Sequence, residues 1–423
     1  MIPLKLLSLL AATSVLVGCG AEPVEVSAHA PDPVEGTPAA QPGPIRAIWV
    51  TRFDYVTADD VRTILANCAE AGFDTVMFQV RGNGTAFYDS PKEPWAVELG
   101  GTGPGGHPGF DPLALAIEEA AGHGISIHAW VNLMPSWWGT EPPPTEGPLA
   151  RHLYHTRPEW HWWSESGQRQ ELCEDFYVSL NPCLPEVRAY LTGLVVDLAQ
   201  RYDVEGIHLD YARFPNEFPA TPRDEAGAPL HDWPRDPRTL ALYRADTGLH
   251  PDDAPESGGP HPWDAWRAAR VTELIGDIRG GLLGLDGDVP VLSAAVTSIP
   301  EKGLEHHQDA HAWMAAGLVD AVFPMNYIQH EAAFTGRLEH WPPGGGEPGS
   351  PLVVMGVRAS EAGDNELTKR LIRRAVDHDG GFCLFAYSDL FDSTNETIDT
   401  QDEPTRARRA EARRVLVPFL REL

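Results

Sequence analysis

The decapeptide GIHLDYARFP, residues 206–215, decides how this chain is read. Gly206, Ile207 and Leu209 suit a short strand covered on both faces, and Pro215 and Asn216 end it at once. Asp210 therefore falls where the strand gives way to its loop. In a parallel α/β protein that is the end on which catalytic groups are mounted. The stretches on either side decide whether such a sheet exists.

From Ile45 onward, short apolar runs alternate with amphipathic ones. Strands are expected at 45–52, 74–81, 126–132, 206–213, 290–297, 320–327, 352–359 and 381–388. Helical periodicity falls between them, at about 58–71, 112–123, 185–201, 264–282, 308–316, 331–340, 365–378 and 404–421. Eight strands and eight helices in strict alternation predict a (β/α)8 TIM barrel, with one catalytic domain over 45–423. Connections from helix to strand are short, as at Ala71-Gly72-Phe73. Three connections from strand to helix are long (82–111, 133–184 and 214–263), so insertions crowd the C-terminal rim. An open doubly wound sheet is the alternative, but it has no reason to reach eight units. No GxGxxG or GxxxxGK[ST] motif directly follows a strand, so no nucleotide cofactor is expected.

The 423-residue chain carries a formal net charge of −29, spread along its length. That argues against nucleic acid or an anionic membrane face as partner, because both need basic patches. The N-terminus reads as a targeting segment. Lys5 precedes an apolar run from Leu6 to Val17, too short to span a bilayer, and Leu16-Val17-Gly18-Cys19 resembles the bacterial lipobox. The expectation is a signal peptide over 1–18, a lipidated Cys19 and a flexible Pro/Ala-rich tether over 19–44. The protein would then be lipid-anchored in the bacterial cell envelope, touching membrane only through that lipid. Of the remaining cysteines, Cys173 and Cys183 share one loop and could pair, while Cys68 and Cys383 read as buried thiols.

The expected strand ends carry a polar set. It comprises Arg52 and Asp54, then Gln79, Arg81 and Asn83, then His128 and Asn132, then His208, Asp210 and Arg213. Later strands add Asn326 and Tyr327, Arg358, and Tyr387 and Asp389. Any one of these is ordinary as a solvated or ion-paired rim group. Together they form the donor–acceptor mixture that sugar hydroxyls require. The long loops add Trp95, Trp137, Trp138, Tyr154, Trp160, Trp162, Trp163, Trp233 and Trp263, either as stacking platforms for pyranose rings or as pins for the loops. His306, His307 and His311 lack the carboxylate companions of a metal site, and no GxSxG elbow supports an esterase.

Longer stretches carry a resemblance: FDTVMFQVRGNGTAFYDSPKEPW (73–95), PGFDPLALAIEEAAGHGISIHAWVN (108–132), SLNPCLPEVRAYL (179–191) and GIHLDYARFP itself. These are similar to the glycoside hydrolase-like family 10 proteins, bacterial envelope proteins built on a (β/α)8 barrel. The resemblance covers about 45–390. It implies action on a bacterial or environmental glycan, peptidoglycan strands among them. It also implies Asp210 as the central carboxylate, lined by Arg81, Asn83, Glu93, His128, Asn132, Arg213, Asn326 and Tyr327. Many relatives carry two adjacent acids where this chain has Asp210-Tyr211.

Glycoside hydrolysis ordinarily uses two carboxylates, about 5–5.5 Å apart when retaining and about 6.5–9.5 Å apart when inverting. Asp210 is expected to be one. Glu93, Asp389 and Asp54 are the candidates for the other, in that order, and Arg358, Trp137 and Trp138 join the expected substrate-binding set. Should Asp210 stand alone among Arg and Trp, the alternative is a non-catalytic glycan-binding lipoprotein. A metal-dependent deacetylase would need a His/Asp cluster that the strand ends lack.

Overall fold

In the first strand, β1 (Ile45–Val50), alternate side chains enter two different cores. Ala47 and Trp49 pack with Met77, Trp130, Phe323 and Cys383 in a lumen, while Ile48 and Val50 pack outward with helix residues such as Ile64 and Leu65. That division requires a closed sheet with a ring of helices around it. The computed structural model describes residues 44–174, 176–215, 233–253, 261–343, 350–360, 362–378, 380–392 and 402–423. The leader, Cys19 and all but the last residue of the tether lie outside the described residues.

The remaining barrel strands are β2 (Thr75–Arg81), β3 (Ser126–Asn132), β4 (Gly206–Asp210), β5 (Val291–Thr297), β6 (Ala321–Met325), β7 (Leu352–Val353 with Met355–Arg358) and β8 (Gly381–Phe385). All pair in parallel in sequence order, and β8 returns to β1 through the register Ile45↔Gly381 to Ile48↔Leu384. β7 joins β6 through Leu352 and Val353 and β8 through Met355–Arg358. The barrel is closed, with eight strands, as the alternation predicted.

Helix boundaries follow local chemistry. Thr57 caps Ala58–Ala71 by accepting from the Asp60 amide, and the Asp60 carboxylate reaches back to the Thr57 amide. Gly72 and Gly124 close the first two helices in the left-handed region, at φ 86° and 67°. The short helix-to-strand connections expected there are the result.

The expected strands overrun the observed ones by up to three residues, and the excess is informative. Arg52, Tyr211–Arg213, Asn326 and Tyr327 have left the ladder for the rim. Among the helices not expected from sequence, Pro237–Thr247 sits in the long connection after β4. Its buried residues are Thr239 and Tyr243, too few for a periodic apolar stripe, and Asp236 caps it while also accepting from Thr239 Oγ1 and Asn181 Nδ2. Cys68 and Cys383 are buried thiols as expected, but Cys173 and Cys183 are free as well. Burial pushes the Cys183 thiol up to about 12, and the Cys173 thiol donates to the Phe176 carbonyl at 3.5 Å.

Candidate active site

Asp210 ends β4 on the wall of a cavity of about 310 Å³ at the C-terminal rim. It is the single carboxylate among the described residues lining that cavity. Both of its hydrogen bonds fall on Oδ1, from the Tyr211 amide at 2.6 Å and from Arg213 Nη1 at 3.1 Å. Oδ2 has no partner among the described residues. Tyr211 itself adopts φ 50°, a left-handed conformation unusual for a residue other than glycine. Strain of that kind persists where the surroundings over-determine it, typically at functional sites. The same turn puts the Tyr211 ring on the cavity wall, 5.4 Å from that of Tyr177 and under the Arg213 guanidinium.

Beneath Asp210 lies a wired floor. Trp49 Nε1 donates to His208 Nε2 at 3.0 Å, so Nε2 is an acceptor and the ring proton sits on Nδ1. Nδ1–H then donates to Ser293 Oγ at 2.9 Å, and that hydroxyl donates to the Ile207 carbonyl at 3.3 Å. Burial holds His208 well below the usual histidine range, which agrees with this neutral tautomer. Trp49 also meets Tyr327 and Phe385 edge-on, while those two rings stack on each other 5.0 Å apart. Trp49, Trp130, Tyr327 and Phe385 give the cavity an aromatic base.

Several polar atoms at this cavity are unspent. Trp130 Nε1, Asn132 Oδ1 and Arg213 Nε are buried without a partner among the described residues. Buried polar groups are normally paired, so a row of orphans on one cavity marks a place where a polar ligand completes them. The Asn132 side chain donates from Nδ2 to the Gly82 carbonyl at 3.3 Å.

Of the residues expected from sequence, Arg52, Gln79, Asn132, Asp210, Arg213 and Tyr327 meet on this wall. The others sit elsewhere. Arg81 and Glu93 form a buried two-pronged ion pair at 2.7 and 2.8 Å, and Tyr190 donates to Glu93 at 3.2 Å. Arg81 Nη1 donates to the carbonyls of Asn132, Leu133 and Pro135, clamping the chain as it leaves β3. Glu93 thus has both oxygens engaged and is absent from the cavity wall. Asn83 accepts from Thr85 Oγ1 and offers its carbonyl to His152. His128 lies lower in the lumen, pushed down to about 4 by burial, with neither ring nitrogen partnered among the described residues. Asn326 donates to the Phe334 carbonyl. Asp389 faces Arg358 and Arg408 at 3.9 Å each, and burial pushes its carboxyl up. Asp54 accepts from the Thr51 amide and hydroxyl, tying down the turn after β1.

The loop tryptophans mostly pin their loop. Indole N–H groups of Trp137, Trp138, Trp162 and Trp163 donate to the carbonyls of Glu141, Glu174, Leu180 and Pro158. Trp138 is 44 % exposed but does not line the cavity. His307 packs on Phe214 and lies 3.6 Å from Asp264.

Sequence reasoning left out Trp49, Phe53, Trp130, Tyr177 and Phe385, and it named Arg52 and Gln79 only as rim groups. Lumen-facing alternation carries a signal for Trp49, Gln79 and Trp130. Tyr177 has none. It arrives from the 133–184 insertion, where Tyr177–Ser179 pairs antiparallel with Pro135–Trp138 and folds back over the rim.

The profile of the family described as glycosyl hydrolase-like 10 matches residues 44–342. The chain belongs to this family. Among relatives, the glycosyl hydrolase DigH of Escherichia coli (strain K12) is 25 % identical over 357 residues, covering 75 % of this chain and 74 % of the relative. The glycosyl hydrolase YngK of Bacillus subtilis (strain 168) is 23 % identical over 293 residues, covering 66 % and 51 %. Two solved structures share the fold. The PgaB (BpsB) glycoside hydrolase domain from Bordetella bronchiseptica has a TM-score of 0.53 at 13 % identity, over 88 % of this chain and 98 % of that one. The catalytic domain of β-amylase from Paenibacillus polymyxa has a TM-score of 0.54 at 11 % identity, over 88 % and 99 %. Within the glycosyl hydrolase-like 10 family, the matched segment holds every residue of the site except Phe385, which β8 supplies.

Proposed function

We propose that the cavity binds a glycan of the bacterial envelope or its surroundings and hydrolyses its glycosidic bonds, with Asp210 as the central carboxylate. The observation that carries this reading is the arrangement around Asp210. Its Oδ1 is fixed by two donors that complement negative charge, and its Oδ2 is left for a reacting atom, beside aromatic faces and unspent polar atoms. An acid held this way suits the base or nucleophile role better than the proton-donor role. Tyr211 and Tyr327 line the same cavity as phenols that burial keeps protonated, so both serve as hydrogen-bond donors to sugar or leaving-group oxygens. The aromatic base offers stacking faces to pyranose rings.

A second reading rests on a specific observation: no second carboxylate shares the described wall. Glu93 is consumed by Arg81, and Asp389 and Asp54 face other groups. On that reading the protein binds glycan without cleaving it. Assaying new reducing ends and binding in parallel, over a panel of envelope glycans that includes peptide-free peptidoglycan strands, separates the two. New reducing ends support the hydrolase, and binding without release supports the binder.

The reading places the protein at the cell envelope through a lipid on Cys19. Incorporation of labelled palmitate that is lost on Cys19→Ser tests this, and equal labelling of both proteins contradicts it.

A further inference from the structure

Arg52 is 1 % exposed, lines the cavity and is incompletely paired. Its Nε meets Glu98 at 3.2 Å and its Nη2 donates to the Tyr177 hydroxyl at 3.1 Å. A guanidinium has five N–H groups. The other three have no partner among the described residues. Among the described residues Glu98 makes one such contact, with its Oε2 buried and unpartnered, whereas Glu93 engages Arg81 with both oxygens. The Arg52 fork is also rigidly placed. Phe53 stacks under it at 4.1 Å, and a Cβ on Gly82 would fall 2.5–2.6 Å from its Cδ, Nε and Nη1. The cavity wall therefore presents two guanidinium groups, Arg52 and Arg213, against the single carboxylate of Asp210, which Arg213 already faces. Glu98, outside the cavity lining, balances the Arg52 charge but takes up only one of its five donors, and buried donors left unspent are costly unless an acceptor completes them. A chain of net charge −29 has no general reason to keep such a site.

From this we infer that the cavity selects a saccharide bearing a carboxylate, and that Arg52 is the residue that reads it through a paired N–H contact. The carboxylate can belong to the sugar ring, as in a uronic acid, or to an ether substituent on it. The inference rests on the glycan reading of the cavity and narrows its substrate class.

The test is binding calorimetry on the full mature chain with matched pairs: oligogalacturonides, oligoglucuronides and peptide-free cell-wall glycan strands, each beside its carboxyl-reduced counterpart. We expect at least one acidic member to bind roughly tenfold or more tighter than its reduced form. Which pairs discriminate tells a ring carboxylate from an ether-borne one. Arg52→Gln should bring the two forms of that pair to equal affinity. Arg52→Lys, which keeps the charge without the fork, should retain part of the preference. Equal binding of acidic and reduced forms by wild type overturns this inference and leaves the glycan reading standing. Binding of neither form in any pair overturns both. The comparison within wild type holds even where an Arg52 variant fails to fold.

Discussion

Asp210, Glu93, Asp389 and Asp54 read alike in sequence, as acids at or beyond strand ends, and their oxygens tell them apart. Asp210 keeps one oxygen unpartnered on a cavity, while Glu93 spends both on Arg81 and Tyr190. A strand-terminal position is therefore necessary but not sufficient. What decides is whether the neighbours leave an oxygen free, and those neighbours come from distant sequence. Glycine positions carry the same lesson. Gly206 opens the decapeptide, and a Cβ there would lie 2.3 Å from the His128 ring across the β3–β4 ladder. Gly206→Ala should therefore destabilise the fold by about 1–3 kcal/mol, as overpacking does. Chemical denaturation measures it, and an unchanged midpoint contradicts the packing described.

At the scale of elements, β2 explains why Arg81 and its partner Glu93 lie off the cavity wall. Strict alternation from Met77 and Gln79 would carry Arg81 onto the cavity wall. The ladder with β3 instead shifts register between Gln79 and Arg81, and Arg81 turns to Glu93 and the carbonyls after β3. Bulges re-aim side chains in this way near active sites, and a period-two reading cannot foresee them. The consequence is measurable. Glu93→Gln leaves a buried cation half-compensated and should cost about 3–5 kcal/mol of stability. Were Glu93 the second catalytic acid, the same change would abolish turnover and leave the melting temperature nearly intact. The 133–184 insertion was legible as a Trp-rich loop at the right rim. Which of its aromatics meets the cavity was not, because Tyr177 is brought there by a short ribbon with no strong strand signal.

For the whole molecule, the eight strands and their helices were legible because both faces of each strand are buried and each helix carries an apolar stripe. Those patterns survive in any register, whereas the site depends on loops whose contacts do not follow a period. Five histidines, 128, 152, 161, 208 and 307, are buried and held neutral. Burial puts His128, His152 and His307 at about 4, and His161 and His208 well below the usual value. In the unfolded chain they titrate near their ordinary value of about 6.5. Between that pH and about 4 the unfolded state binds more protons, so stability is fully present above about 6.5 and is lost as the pH falls. The cost should approach roughly 1–3 kcal/mol per histidine at the acid end of that window. A melting temperature that falls steadily from pH 7 to pH 4.5 is expected, and a flat profile contradicts it.

The central claim is that Asp210 carries the chemistry of this cavity. Release of new reducing ends from a glycan cleaved by the wild-type protein, compared with Asp210→Asn at matched folding and glycan binding, tests it most directly. Release should fall by at least about a thousandfold while binding and melting temperature stay close to wild type, as expected for loss of a group acting mainly in the transition state. Release that continues undiminished in Asp210→Asn would contradict it and move the reacting centre away from the end of β4.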